Sequence, residues 1–370
     1  MPMPLSPRRW LAHAAACPRP ASLNERHRTM ANGTRTYGCI LRWALGATLI
    51  AMAGLAACGD GAGSHDGANS GGGGGGEAAS GHLWHNFFPL GDGTGLYVSS
   101  PDGARTRHID EAKDAVPTPD GSHYVTLEHD LSADTSQVSI KSNSDGRVVH
   151  QAVLNGYVSK VRPSPLRLGD LLLVWASSAI AGDGVVTAID LPARRTLQRW
   201  PTRAAADWLP DGRVISAEPT GAVHVAIVGQ QDSAVGTLSV PGWTLRGLWS
   251  DPTGSRIVTR WMRFNASGDP AETDLWIAGA DGTGLQRLTR TGLTSYAVWA
   301  PDDRSFAFDW DPANVCTGTA CVGAGGCELH TAPATAREVT LDHASVRPIA
   351  VTDDEGQAAT LGCDLLGWTR

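Results

Sequence analysis

Lysine is nearly absent from this sequence: Lys113, Lys141 and Lys160 are the only three in 370 residues. With so few, and with the arginines scattered, no basic stripe interleaved with aromatics exists to track a phosphate backbone. Phenylalanine and tyrosine are scarce at five each, whereas tryptophan reaches 13. The 44 glycines follow no G-X-Y period, which excludes a collagen-like fibre. No G-x-S-x-G elbow, H-E-x-x-H helix, Walker loop or Ser-x-Asp-x-Gly-aromatic box occurs. Serine-hydrolase, zinc-protease, NTPase and sialidase-type chemistry therefore have no motif to rest on.

Charge is divided unevenly. Residues 1–57 carry seven arginines and one acid, Glu25, and the remainder holds 23 basic against 36 acidic side chains, a net of −13. Such a surface repels nucleic acid, and none is expected as a partner.

Trp43 to Leu55 is an apolar run of 13 residues behind Arg35 and Arg42. That is short of the roughly 20 residues a bilayer span needs, and it suits the core of a signal peptide. It ends in Leu55-Ala56-Ala57-Cys58, which resembles the lipobox of bacterial lipoproteins. The resemblance implies cleavage before Cys58, acylation of its thiol and membrane attachment through that lipid, with Gly59 favouring the outer membrane. The rival is an uncleaved anchor helix from Gly38 to Ala57, which would carry Arg42 inside it. Residues 1–29 have no role in either reading and suggest a start assigned too far upstream. Residues 58–82, with six consecutive glycines from Gly71 to Gly76, read as a flexible tether. The expected organisation is a leader over 1–57, a lipidated tether over 58–82 and a folded domain over 83–370.

That domain repeats. Asp274 to Thr289 alternates, turns at Asp281-Gly282 and alternates again, a hairpin signal that returns around Asp102-Gly103 and Asp145-Gly146. Weaker copies span Val185 to Arg199, Val223 to Val240 and Glu328 to Leu341, the last turning at Pro333. A second unit, an opening strand into a Pro-containing turn, alternates with the hairpins. Its prolines Pro119, Pro165, Pro210, Pro252 and Pro301 are 46, 45, 42 and 49 residues apart. Four short strands per period of about 40–50 residues signify a propeller. Openings at Val116, Val161, Asp207, Leu248, Val298 and Leu366 number six, the last at the C-terminus. The expectation is an all-β, six-bladed β-propeller whose C-terminal strand closes the ring on Leu83 to Asp110. Trp208, Trp249, Trp299 and Trp368 recur at one repeat position, as inter-blade packing would require.

Trp276 to Thr289 followed by Val298-Trp-Ala-Pro-Asp302 resembles the WD-like repeats of TolB propellers. The likeness covers nearly all of 83–370 and is sharp around Trp208, Trp249, Trp276 and Trp299. It implies a six-bladed fold and a periplasmic binding role. There is no room for the separate α/β domain of that family.

Cys316, Cys321, Cys327 and Cys363 are even in number and their spacing is poor for zinc, so two disulfides in one of three connectivities are expected. Neither a cofactor nor a metal is implied. Arg263 to Thr273, Asp311 to Gly326 and Asp342 to Gly362 look like long loops on one face, with Asp342, Asp353, Asp354 and Glu355 as an acidic rim for a basic envelope partner. Two functions remain: a non-catalytic protein-binding module, and a lyase or glycosidase using acids and histidines that line the central channel. Whether the channel mouth gathers a charged constellation distinguishes them.

Overall fold

The computed structural model describes residues 81–88, 93–103, 105–112, 115–167, 169–177, 185–201, 203–311, 327–352, 358–361 and 365–370. All fall within the unit Gly72–Arg370. The leader, residues 58–80 of the expected tether (Cys58 included), Cys316, Cys321, Cys363, Asp353, Asp354 and Glu355 lie outside the described residues, whereas His82, placed at the end of that tether, opens the first strand.

The Asp-Gly pairs do what their backbone preference demands. Gly103, Gly146 and Gly282 all have positive φ, in turns joining the third and fourth strands of three blades. The first blade holds β1 (His82–Phe88), β2 (Gly93–Ser99) and β3 (Thr106–Asp110), and the second β4 (Ala115–Pro117), β5 (His123–Asp130), β6 (Thr135–Ser142) and β7 (Val148–Asn155). The third is β8 (Tyr157–Pro163), β9 (Leu171–Ser177), β10 (Val185–Asp190) and β11 (Arg195–Trp200), and the fourth β12 (Ala205–Trp208), β13 (Val214–Ala217), β14 (Ala222–Ala226) and β15 (Ser233–Thr237). The fifth comprises β16 (Thr244–Ser250), β17 (Arg256–Phe264), β18 (Pro270–Gly279) and β19 (Gln286–Arg287), and the sixth β20 (Ala297–Trp299), β21 (Ser305–Trp310), β22 (Glu328–Pro333) and β23 (Arg347–Pro348). A small hairpin, β24 (Ala350–Thr352) and β25 (Ala358–Thr360), precedes β26 (Leu365–Thr369). Each blade is a four-stranded antiparallel sheet in chain order, except the first, which runs β26-β1-β2-β3.

Ring closure is therefore made by the chain end. Leu83 pairs with Trp368 and Trp84 with Gly367, and the Trp84 indole donates to Thr369 Oγ1 at 2.9 Å. No open edge is left at the seam.

The core is divided into six clusters, one for each interface between neighbouring blades. This explains the apolar run Leu171 to Trp175. Leu172 and Val174 face the second blade, while Leu171, Leu173 and Trp175 face the fourth. A strand buried on both faces has no polar side to alternate with.

Three expectations need correction. Glu328 to Leu341 is not a simple hairpin, because β22 pairs with β23 at Arg347–Pro348. The intervening chain instead lays Val339 beside Thr289, with Val339 N donating to Leu288 O at 3.0 Å. The cause is the two-residue β19, which leaves an edge that Ala334 and Val339 cover by joining Leu288 in the core. Arg263 to Thr273 is mostly strand: β17 and β18 pair out to Phe264 and Pro270, and only residues 265–269 turn. Last, Trp249 does not share its register with the other tryptophans. Trp208 and Trp299 stand two residues before the turn proline and Trp249 three, and a one-residue slip reverses the face. Trp208, Trp299 and Trp368 pack against the preceding blade, Trp249 against the following one.

Candidate binding site at the channel mouth

Five first turns encircle one end of the channel. Each places proline second, where its fixed φ fits a type I turn: Thr118-Pro119, Ser164-Pro165, Leu209-Pro210, Asp251-Pro252 and Ala300-Pro301. The fourth residue folds back onto the first in four of them: Gly121 N to Thr118 O at 2.8 Å, Gly212 N to Leu209 O at 2.9 Å, and Gly254 N to Asp251 O and Asp303 N to Ala300 O at 3.0 Å. Asp303 adopts φ 60° where the other three have glycine. Turn chemistry thus brings five prolines, none with an N–H to offer, into one ring.

Inside the ring lies a vestibule of about 550 Å³. Its walls are the turn prolines with Pro117, Pro163, Trp208, Trp249, Trp299 and Trp368, and its floor includes Arg162, Asp207 and Tyr296. The indoles are 5–7% exposed, so they brace the wall rather than present a stacking face. Trp208 Nε1 donates to Arg162 O at 2.9 Å, whereas the buried Nε1 atoms of Trp249 and Trp299 have no partner.

The floor is charged. Arg162, on the inner strand β8, aims both terminal guanidinium nitrogens at the Tyr296 hydroxyl, 3.3 Å away, and its Nε lies 4.0 Å from Asp207 Oδ1. Asp207 accepts from Trp208 N and Ser250 N, both at 2.9 Å, and from Ser250 Oγ at 3.4 Å. Burial nonetheless outweighs Arg162 and these donors and raises its pKa. Further in, Lys160 holds its ammonium 5.3 Å from the ring centres of Trp175 and Trp249. Arg260 Nη1 donates to Ser295 O at 3.3 Å. Asp309 accepts from Ser295 N at 2.7 Å, Ser295 Oγ at 2.5 Å and Tyr296 N at 2.8 Å, yet burial, opposed by those donors, pushes its pKa up to about 6.

The residues anticipated from sequence fall elsewhere. Asp342 is exposed in the connection from β22 to β23, which joins third strand to fourth and so does not belong to an inter-blade link. Cys327 stands just before β22 and is disulfide-bonded. It lies with Asp309 and Asp311 in a group whose ligand atoms come within 4.8 Å. A sulfur committed to a disulfide is no thiolate ligand, so the group is not a metal site. The channel charges were missed, although the repeats carry their signal. Three places before the turn proline the blades read Val116, Arg162, Asp207, Trp249 and Val298, with opposite charges in adjacent blades.

No protein-family model matches the chain, and no curated protein matches it in sequence. Among solved structures, TolB from Acinetobacter baumannii aligns at a TM-score of 0.50 and 17% identity over 73% of this chain and 66% of that one, just under two thirds of its length. The fold is a TolB-like six-bladed propeller. A TolB candidate from Agrobacterium tumefaciens aligns at 0.46 and 13% identity over 79% of this chain and 94% of that one. The GH74 enzyme of Niastella koreensis aligns at 0.45 and 7%, over 70% and 44%. At these identities the likeness is one of fold, and TolB-like propellers and enzymes both stand among the neighbours.

Proposed function

We propose that this chain is a lipid-anchored, non-catalytic binding module of the cell envelope, whose vestibule receives a segment of an envelope protein. The anchor is Cys58 in the outer membrane. A tether over 59–80 would give the propeller a reach of roughly 25 Å. Cys316, Cys321, Cys327 and Cys363 form two disulfides in the same oxidising compartment.

The observation that carries the reading is the preformed vestibule, with a rigid proline and tryptophan rim over a few convergent polar groups. Its prolines have little conformational freedom left to lose on binding. The enzyme reading has in its favour the charged floor itself and the raised pKa values of Asp207 and Asp309. Against it, both Asp207 oxygens are engaged by Trp208, Ser250 and Arg162, and Asp120 and Asp251 are spent on their own turns. Glycoside hydrolysis needs two carboxyls facing one substrate, each free to exchange a proton.

A photoreactive residue at Asp211, on the rim, should capture a partner in cells, and one at Ser267, in the turn between β17 and β18 on the other face, should not. Capture from Ser267 alone, or from neither, would end the vestibule reading. Fatty-acid labelling that persists in Cys58→Ala would end the lipid anchor separately.

A further inference from the structure

We infer that the channel behind the vestibule floor is a binding site for a small oxyanion, held by Lys160, Arg162 and Arg260. Its basis is an imbalance of donors and acceptors around the dipeptide Ser295-Tyr296. Arg162 reaches the Tyr296 hydroxyl, Arg260 the Ser295 carbonyl, and Trp249, on which Lys160 sits, meets the Tyr296 ring edge-on at 5.3 Å. Three cationic side chains thus converge on two consecutive residues.

Their donors are largely unspent. An ammonium offers three N–H groups and a guanidinium five. Among the described residues Lys160 has no hydrogen-bond partner, only its two indole neighbours. Arg162 directs two nitrogens to a single oxygen, Arg260 makes one bond, and the buried Nε atoms of both have none. Arg162 is also more than nine-tenths buried and lines the vestibule floor, so the residue borders space a solute can enter.

The two nearby carboxylates balance these cations only in part: Asp207 stands 4.0 Å from Arg162 Nε, beyond hydrogen-bond reach. Asp207 is occupied by Trp208 and Ser250, and Asp309 by Ser295 and Tyr296. Arg246, exposed at the N-terminal half of β16, adds its charge to that of Arg260. In a chain of net charge −7 the channel is therefore a local positive well, where low-dielectric walls strengthen attraction for an anion. Planar guanidinium groups suit the paired oxygens of a carboxylate or phosphate. Burial, reinforced by Arg162 and Arg260 and partly offset by Asp207, holds the Lys160 pKa well below the usual lysine range. An anion alongside would restore it, so binding would take up a proton.

Calorimetric titration of the full-length protein with inorganic phosphate and, separately, acetate, at ionic strength held constant with chloride, tests the site. One saturable event is expected, its heat varying with buffer in the sense of proton uptake. Lys160→Met and Arg260→Met should each weaken it by about tenfold or more, as loss of a charged hydrogen bond implies, and Lys160→Arg should restore it. Near-ultraviolet dichroism of the tryptophans establishes that each variant is folded, and Lys160→Gln replaces any that is not. The tighter ligand identifies a phosphate or a carboxylate site. No saturable binding, or equal affinity in the methionine variants, would overturn the assignment. Partner capture at Asp211 is independent of Lys160, so the two readings fail separately.

Discussion

Asp251 and Asp207 line the same vestibule, one in a first turn and the other on an inner strand, and their surroundings drive them in opposite directions. Burial alone would raise both. At Asp251 it is overcome by Arg256 Nε at 2.8 Å, by the backbone N–H groups of Ser255 and Arg256 and by Thr253, and the pKa falls. At Asp207 the guanidinium stands off at 4.0 Å, fewer donors arrive, and the pKa rises. The turn ring consumes its charges locally, within a few residues of sequence. The channel brings its charges from different blades and leaves them only partly matched. The first arrangement serves stability, and the second leaves the unmatched groups on which the proposed binding would draw.

The largest expected effect breaks the turn side of that contrast. Asp251→Ala removes a fully buried carboxylate, takes the side-chain acceptor from Arg256 N, leaves Ser255 N with Thr253 Oγ1 alone, and leaves the Arg256 guanidinium with Asp303 and the Trp299 ring. Breaking a buried pair from one side costs about 3–5 kcal/mol. Urea unfolding should show that loss with an unchanged slope. A loss under about 1 kcal/mol would mean that the turn carboxylate is no better satisfied than the channel one.

Next in size is a pH effect at Asp309. Its folded pKa is about 6 against the ordinary 3.8, so the folded state holds a proton that the unfolded state releases between those values. Stability therefore falls as pH rises through the window from about 4 to about 6, by about 3 kcal/mol at 1.36 kcal/mol per unit. Asp309→Asn should remove this slope. Parallel pH profiles for wild type and variant would show that Asp309 is ionised throughout.

How much of this could be read beforehand depends on distance along the chain. Hairpins, turn prolines and ring closure rest on contacts between neighbouring strands or on the repeat itself, so Asp281-Gly282, the proline period and the stray strand at Leu365 were enough. The register of Trp249 was not, because one extra residue between it and Pro252 is invisible unless each blade is counted back from its proline. The clasp of Val339 on Leu288 was hidden for another reason: it answers the shortness of β19, which only pairing reveals. The channel cluster was hardest. Lys160, Arg260 and Asp309 come from the third, fifth and sixth blades and meet only because the ring closes.

A smaller effect sharpens the geometry of the ring. Gly254 has φ 72°, and a Cβ there would stand 2.8 Å from Pro210 Cδ of the neighbouring turn. Gly254→Ala should cost about 1–3 kcal/mol from the left-handed backbone, with the pressed proline adding to it. Gly242→Ala is the control, because its φ of 79° meets nothing within 4 Å. Equal melting temperatures for the two variants would show that the turns do not press on one another.

The smallest effect belongs to Asp207. Asp207→Asn keeps an oxygen for Trp208 N but offers an amide where Ser250 N and Oγ need an acceptor, and those lost bonds destabilise by about 1–2 kcal/mol. In the other direction, neutralising the side chain relieves the burial that raises its pKa, a gain present at neutral pH. The sign follows from linkage: with the folded pKa above the unfolded one, the charged carboxylate disfavours folding as pH climbs from about 4. The two contributions oppose each other, so the loss at pH 7 should be smaller than the lost bonds alone would cause. At pH 4 the gain disappears and the variant should be the less stable of the two. A loss above about 2 kcal/mol at pH 7 would make Asp207 and Arg162 a structural pair like Asp251 and Arg256, and the distinction between ring and channel would not survive it.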